Sequence, residues 1–208
     1  MKIVLQIVLA AAIVLLTYMC YESIMTPIRF DEAVKERTEA ITARLIDIRK
    51  AQIEYKNKYG VHAANFDELA HFLNEDKIPF VLKVGVLTDE QLEKGMTEQE
   101  AVKKGIITRD TSWIIAKDTI LGPNYDVASM RFVPGTQTTF SMDTATIISP
   151  TGYTVKVFEC GVPYDKYLGD LNPQLLYNMK QKAEVYEKYA GLRVGSLKEI
   201  NNNAGNWE

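Results

Sequence analysis

The sequence has few of the residues on which catalytic and metal sites depend. Among 208 residues there are two histidines and two cysteines. His62 and His71 are nine positions apart across a predicted turn, so they cannot share a helical face as a helical metal pair does. Cys160 has no histidine near it in sequence, whereas a nucleophilic thiol needs a base and an oxyanion partner. We therefore predict that Cys160 is a small buried apolar residue and that it forms no disulfide with Cys20.

The chain also lacks a strong excess of either charge, with 24 Lys and Arg against 27 Asp and Glu and a formal net charge of −3. This balance predicts no nucleic-acid partner. No G-x-S-x-G motif or glycine-rich phosphate loop occurs in the sequence. The acidic pairs that begin at Asp31 and Asp89 precede predicted helices, where the helix dipole already explains them. We therefore predict a protein that is not an enzyme and needs no cofactor.

What is present is a long apolar run near the N-terminus. Ile3 to Met19 carries no charge, and its only polar residues are Gln6, Thr17 and Tyr18. As a helix it spans about 25 Å, near the lower limit for crossing a hydrocarbon core. This pattern predicts a single membrane-spanning anchor, with Tyr18 and Tyr21 near one interface. Its lipid-facing residues are predicted to be Ile3, Val4, Leu5, Ile7, Val8, Leu9, Ile13, Val14, Leu15 and Leu16.

Two other interpretations of this run remain open. A cleaved signal peptide needs small residues after the apolar run, but Ala10, Ala11 and Ala12 lie in its middle. Lipoprotein processing needs a small residue directly before a cysteine, whereas Cys20 follows Tyr18 and Met19. Retention as an anchor is therefore the leading prediction.

The charges that flank the run predict its orientation. Lys2 and the terminal amine lie on one side, and Glu22, Arg29, Asp31 and Lys35 lie on the other. The positive-inside rule then places the N-terminus in the cytoplasm and the bulk of the chain outside it. A bacterial inner membrane with a periplasmic domain is the simplest location, and the opposite orientation stays open.

A second helical pattern follows from Phe30 to Tyr59, and Thr26-Pro27 is expected to break it from the anchor. Its apolar face includes Val34, Ile41, Leu45 and Ile48, spaced by seven, four and three residues. Such a face must be covered. One hypothesis packs it on the chain's own sheet. The other pairs the part nearest the membrane with another chain. A mixed role is favoured, in which the membrane-proximal half faces partners and the half from Leu45 onward packs on the sheet; the predicted contact residues are Val34, Ile41, Leu45 and Ile48.

The remaining pattern predicts an α+β fold, in which a transmembrane helix continues into a long amphipathic helix, followed by a small antiparallel sheet of four or five strands and a C-terminal helix. Asn65, Thr88, Thr97 and Asn172 are predicted helix caps. Strands are predicted at 78–85, 111–121, 127–133, 138–149 and 153–162. The predicted segments are an anchor (1–25), two helices (26–75), a β-rich region (76–171) and a C-terminal helix with a polar tail (172–208).

One stretch resembles a known family. Ala51, Tyr55, Tyr59-Gly60 and then Phe66-Asp67-Glu68-Leu69 are similar to the end of the long first helix in type IV pilins and type II secretion pseudopilins. In that family an N-terminal membrane helix runs into an amphipathic helix, a short turn and a small antiparallel sheet. The layout also resembles that of uncharacterised membrane-anchored proteins of Bacteroidota.

These observations predict a membrane-anchored envelope protein that serves as a subunit or scaffold of a multiprotein assembly. Its expected partners are the lipid bilayer and other membrane or envelope proteins. The alternative is a tethered hydrolase or ligand-binding domain, for which a deep polar pocket around Tyr153–Tyr167 is expected.

Overall fold

A computed structural model describes residues 1–84, 95, 97–106 and 108–208. The predicted cap at Thr88, the turn after it and the strand end at Gly85 lie outside these residues. The fold is α+β, as predicted, with a long N-terminal helix, small antiparallel sheets and a C-terminal helix. The chain divides into two compact units, Met1–Arg49 with Met130–Glu208, and Lys50–Ser129.

Helix α1 runs without interruption from Lys2 to Tyr59, a length of 58 residues. The predicted break at Thr26-Pro27 is wrong, because Pro27 lies inside the helix. A proline removes one backbone hydrogen bond and crowds one carbonyl, and the good helix formers on both sides outweigh that local cost. The helix ends as predicted at Gly60, where φ is +72° and the N–H donates to the Lys56 carbonyl at 2.8 Å.

The unit Lys50–Ser129 contains a two-stranded antiparallel sheet. Strand β1 pairs with strand β2 so that Lys77 lies opposite Ile115 and Val84 opposite Thr108. The predicted strand at 111–121 is wrong in its second half, which is helical. The Ala116 N–H leaves the ladder and donates to the Asp76 carbonyl at 2.8 Å. The elements are α2 (Phe66–Glu75), β1 (Lys77–Val84), α3 (Glu98–Lys103), β2 (Thr108–Ile115) and α4 (Ala116–Ile120).

Two predicted helix starts in this unit are confirmed. Asn65 Oδ1 accepts the Glu68 N–H at 2.8 Å, and Glu68 Oε2 accepts the Ala64 N–H at 3.0 Å. Thr97 and Glu100 exchange two such bonds, both at 3.4 Å. These contacts satisfy backbone donors that a helix leaves unpaired in its first turn.

The other unit contains a three-stranded antiparallel sheet in the order β3-β4-β5. Ser141 pairs with Gly161, and Glu159 pairs with Gly195. The C-terminal helix begins at its predicted cap, where Asn172 Oδ1 accepts the Gln174 and Leu175 N–H groups. The elements are β3 (Ser141–Ile148), β4 (Thr154–Pro163), α5 (Tyr164–Leu168), α6 (Pro173–Val185) and β5 (Gly191–Gly195).

Two further strand predictions need correction. The stretch 127–133 contains a 3-10 turn at Ala128–Arg131. The Asp126 carboxylate accepts the Ala128 N–H, and the Asp126 carbonyl accepts the Ser129 hydroxyl. Such local bonds favour a turn over a strand. The single predicted sheet is two sheets among the described residues. Strand β5 was not predicted because it begins and ends with glycine, which strands usually disfavour.

The polar C-terminal tail is docked against β5. The Gly195 N–H donates to the Ala204 carbonyl, and the Asn206 N–H donates to the Arg193 carbonyl, both at 3.0 Å. A β-bridge joins Val194 to Gly205. Gly195 is required here, because its φ is +73° and a Cβ would lie 2.1 Å from the Phe158 carbonyl oxygen.

Candidate membrane anchor and juxtamembrane contacts

The first part of α1 presents apolar side chains with no protein cover. Every residue from Met1 to Tyr21 is exposed, and no residue of the most apolar stretch is buried. This helix is long and apolar enough to span a membrane. The predicted lipid-facing residues have 57–72% of their surface exposed; they are Ile3, Val4, Leu5, Ile7, Val8, Leu9, Ile13, Val14, Leu15 and Leu16.

The polar residues of this stretch differ in their surroundings. The Thr17 hydroxyl donates to the Ile13 carbonyl at 2.9 Å, so it is satisfied within its own helix. Gln6 is exposed like its neighbours, and its side-chain amide offers both donors and acceptors. In hydrocarbon, where water is absent, such an amide is costly unless another group bonds to it.

The surroundings of α1 change within two turns of Tyr21. Arg29 Nη1 lies 3.3 Å from Glu22 Oε1, and Glu22 also accepts the Thr26 hydroxyl at 3.5 Å. Phe30, which directly follows Arg29, is only 7% exposed. The exposed apolar stretch therefore gives way to charged residues and then to packed residues along a single helix.

The four predicted contact residues, which lie in α1 beyond its exposed apolar stretch, do not form an exposed surface. Ile41, Leu45 and Ile48 are 0% exposed, and only Val34 is part-exposed. The predicted partner role of the three buried residues is therefore corrected: they belong to the core of the folded chain. The spacing located the apolar face, but spacing cannot tell whether the chain itself or a partner covers it.

Arg37 joins α1 to the segment between α5 and α6. Its guanidinium donates to the Tyr167 carbonyl at 2.6 Å and to both carboxylate oxygens of Asp170, at 2.5 and 2.7 Å. The bond from Arg37 lowers the pKa of Asp170 to about 2, and the same bond raises the pKa of Arg37. Sequence reasoning missed this contact, because 133 residues separate its two side chains.

Asp76 plays a comparable role in the unit Lys50–Ser129. It accepts the Tyr59 hydroxyl, and Lys58 Nζ lies 3.0 Å from its other oxygen. The hydrogen bond from Tyr59 to Asp76 raises the pKa of Tyr59 to about 12. Burial acts to raise the pKa of Asp76, but the bonds from Tyr59 and Lys58 outweigh it and lower that pKa. Phe72 packs on this group, with its ring 6.2 Å from that of Tyr59. The end of α1 is thus tied to the end of α2.

The residues considered for catalysis or metal binding lie apart. His62 is buried, whereas exposed His71 pairs with Glu75 at 3.1 Å. Cys160 is fully buried, as predicted, and burial raises the pKa of its thiol. Within the part of the chain that the structure describes, no three His, Cys, Asp or Glu side chains could hold a metal ion together.

A groove beside Tyr164 lies in the region where the alternative hypothesis expects a polar pocket. Tyr153 is not part of it and is 74% exposed. Asn206 is already bonded to the Gly191 carbonyl and the Arg193 N–H. Among the described residues, no carboxylate, imidazole, thiol or serine hydroxyl lines the groove, and its polar groups come from tyrosine, lysine and asparagine. Its lining residues are Tyr164, Met179, Lys182, Ala183, Tyr186, Lys188, Tyr189 and Asn206.

No protein-family model, curated protein or solved structure matches this chain. The similarity to type IV pilins therefore remains a prediction from layout.

Proposed function

We propose that the protein is a single-pass, membrane-anchored envelope protein that acts as a pilin-like subunit or scaffold of a multiprotein membrane assembly. The observation that carries this proposal is α1 itself. One unbroken helix has a fully exposed apolar first part and a buried stripe at Ile41, Leu45 and Ile48 further along. The anchor and the folded chain are therefore parts of one continuous element.

The proposed location is a bacterial inner membrane with most of the chain in the periplasm. Lys2 precedes the apolar stretch, and the positive-inside rule favours the cytoplasm for that end. The test variant carries Cys20→Ser and Lys198→Cys, so that its one exposed cysteine is at 198 while Cys160 stays buried; intact cells are treated with a membrane-impermeant maleimide. Labelling before lysis supports this orientation, and labelling only after lysis contradicts it.

The proposed mechanism is positional. Anchoring confines the chain to a plane and raises its effective concentration towards neighbouring membrane proteins. A helix that continues from the bilayer into the fold also holds that fold close to the membrane. The unbroken helix, small antiparallel sheets and C-terminal helix support the pilin-like layout.

The anchor can be tested in the full chain with paired arginines. Val8→Arg with Ile13→Arg places two charges in the apolar stretch, at a cost of roughly 2.5–3.5 kcal/mol each at the helix centre. We expect this variant to be released from membranes by alkaline carbonate, whereas the wild type stays bound. Ala40→Arg with Ala43→Arg adds the same charge at exposed positions of the same helix and should stay bound. Equal retention of all three proteins would contradict the anchor.

The assembly role can be tested at Gln6. An amide within the bilayer gains about 0.6–2 kcal/mol from a polar partner on another helix. We expect Gln6→Leu to reduce self-association or association with other membrane proteins by about threefold or more, measured by crosslinking in intact cells. Thr17→Val is the control, because the Thr17 hydroxyl is already bonded to Ile13. Equal crosslinking of both variants and the wild type would count against assembly through the anchor.

A further inference from the structure

The start of α6 lies beside the part of α1 that leaves the apolar stretch. A groove runs between these two segments, both in the unit formed by Met1–Arg49 and Met130–Glu208. Helix α1 contributes residues at the end of its apolar stretch and just beyond it. Helix α6 contributes its cap and its first turn. The lining residues are Tyr18, Met19, Glu22, Ser23, Thr26, Pro27, Asn172, Gln174 and Leu175.

The depth of this groove follows from helix geometry, given the membrane anchor proposed above. Ile3 to Tyr21 covers about 28 Å along a helix, close to the roughly 30 Å thickness of a hydrocarbon core. Glu22 to Pro27 covers about 9 Å more, against roughly 5–7 Å for one headgroup layer. The groove therefore begins at the edge of the hydrocarbon and extends through the headgroups.

The chemistry of the lining matches that position. Tyr18 and Met19 are exposed at the hydrocarbon end, where aromatic side chains favour the interface. Further along lie the Ser23 hydroxyl, the Thr26 hydroxyl, which donates to Glu22, and the Gln174 amide, whose nitrogen donates to Asn178. The Glu22 carboxylate is paired with Arg29, so this end is polar, and the oxygens of Ser23, Thr26 and Gln174 can still accept bonds from headgroups or water. An apolar end followed by a polar end, continuous with the lipid-facing surface of the anchor, fits a phospholipid.

We propose that this groove binds a phospholipid of the leaflet nearest the fold, so that the first turn of α6 lies in the headgroup layer. The Arg37 contacts with Tyr167 and Asp170 hold the preceding segment against α1, which fixes the approach of α6 to the membrane. The fold therefore contacts the bilayer through α6 as well as through the anchor.

The other end of α6 points away from the membrane. Met179, Lys182 and Ala183 of α6 share a groove with Asn206, two residues before Glu208. Glu208 pairs with Arg49 at 2.6 Å, and Arg49 is about 40 Å further along α1 than Glu22. Val185, which is 78% exposed, thus provides a matched control position on the same helix.

The test uses the full chain in phosphatidylcholine liposomes with Cys20→Ser in every variant, because Cys20 is exposed whereas Cys160 is buried. A fluorophore is attached at Gln174→Cys or at Val185→Cys, and lipids carry a nitroxide near the headgroup or at the chain end. We expect quenching by the headgroup nitroxide to be at least about threefold stronger at 174 than at 185, because the sites are about 16 Å apart along α6.

Each outcome has a distinct meaning. Strong quenching at 174 that exceeds quenching at 185 supports the proposal. Equal, weak quenching at both sites in liposomes that still carry the protein overturns it while the anchor stands. If the protein fails to float with the liposomes, both the lipid-binding groove and the membrane anchor are overturned. If Gln174→Cys loses its helical circular dichroism, Pro173→Cys, exposed and adjacent, replaces it with the same expected result.

Discussion

The two parts of α1 are both rich in apolar residues, yet they have opposite surroundings. Leu15 in the first part is 59% exposed, whereas Leu45 in the second is 0% exposed. In the first part apolar residues lie all round the helix, and in the second they form one stripe among charged residues. A helix that is apolar all round suits lipid, whereas a striped helix buries only one face against protein. The distribution of apolar residues around the helix, not their total number, distinguishes the part that suits lipid from the part that packs against protein.

The largest effect is expected when the same truncation is made in both parts. Leu45→Ala should lower the free energy of unfolding by about 2–5 kcal/mol, because it leaves a cavity in packed surroundings. Leu15→Ala should leave it nearly unchanged. Urea unfolding of the full chain in detergent, followed by near-ultraviolet circular dichroism, measures both. Leu45→Met, which conserves volume, should cost less than about 1.5 kcal/mol. Equal losses at 15 and 45 would break the comparison.

A smaller effect is expected at the junction between the two parts. Pro27→Ala restores one helical hydrogen bond and removes a clash worth up to about 3 kcal/mol, offset by roughly 1 kcal/mol of added freedom in the unfolded chain. We expect slower amide hydrogen exchange from Ser23 to Phe30, measured by mass spectrometry. Peptides around Leu45 should exchange as in the wild type. Faster exchange at 23–30 would show that proline supports the junction.

The Arg37–Asp170 contact should make the stability of the fold depend on pH. The folded pKa of Asp170 is about 2, below its ordinary value of 3.8. The carboxylate therefore stabilises the fold above the unfolded pKa, and this contribution is lost as pH falls towards 2. Asp170 is largely exposed, so we expect less than about 1 kcal/mol. Thermal unfolding between neutral and acid pH should show a shallower slope for Asp170→Asn. An unchanged slope would contradict this assignment.

The smallest effect is expected at the end of α1. The folded pKa of Tyr59 is about 12, above its ordinary value of 10.0. The neutral phenol therefore stabilises the fold below the unfolded pKa, and this contribution is lost as pH rises from about 10 to 12. Tyr59→Phe should remove one late step from the tyrosinate absorbance titration and cost only about 0.3 kcal/mol or less at neutral pH, because Tyr59 is 47% exposed. Tyr177→Phe, at an exposed residue, is the control and should leave that late step in place.

Much of the local structure could be predicted because its causes lie within a few residues. The Asn65, Thr97 and Asn172 caps, the stop at Gly60 and the strands β3 and β4 all follow from neighbouring residues. The errors occurred where local rules compete. Pro27 did not break α1, and Asp126 turned an apolar stretch into a 3-10 turn.

The sequence by itself determined the exposed apolar stretch of α1, the α+β class and the caps, because composition and spacing act over one or two helical turns. Only the tertiary structure decided that Ile41, Leu45 and Ile48 are buried, that Arg37 bonds to Asp170 and that α6 begins beside the end of the exposed apolar stretch. The last two outcomes depend on segments more than a hundred residues apart in sequence meeting in space. No local pattern encodes which segment covers an apolar face or accepts an arginine; packing of the whole chain selects it.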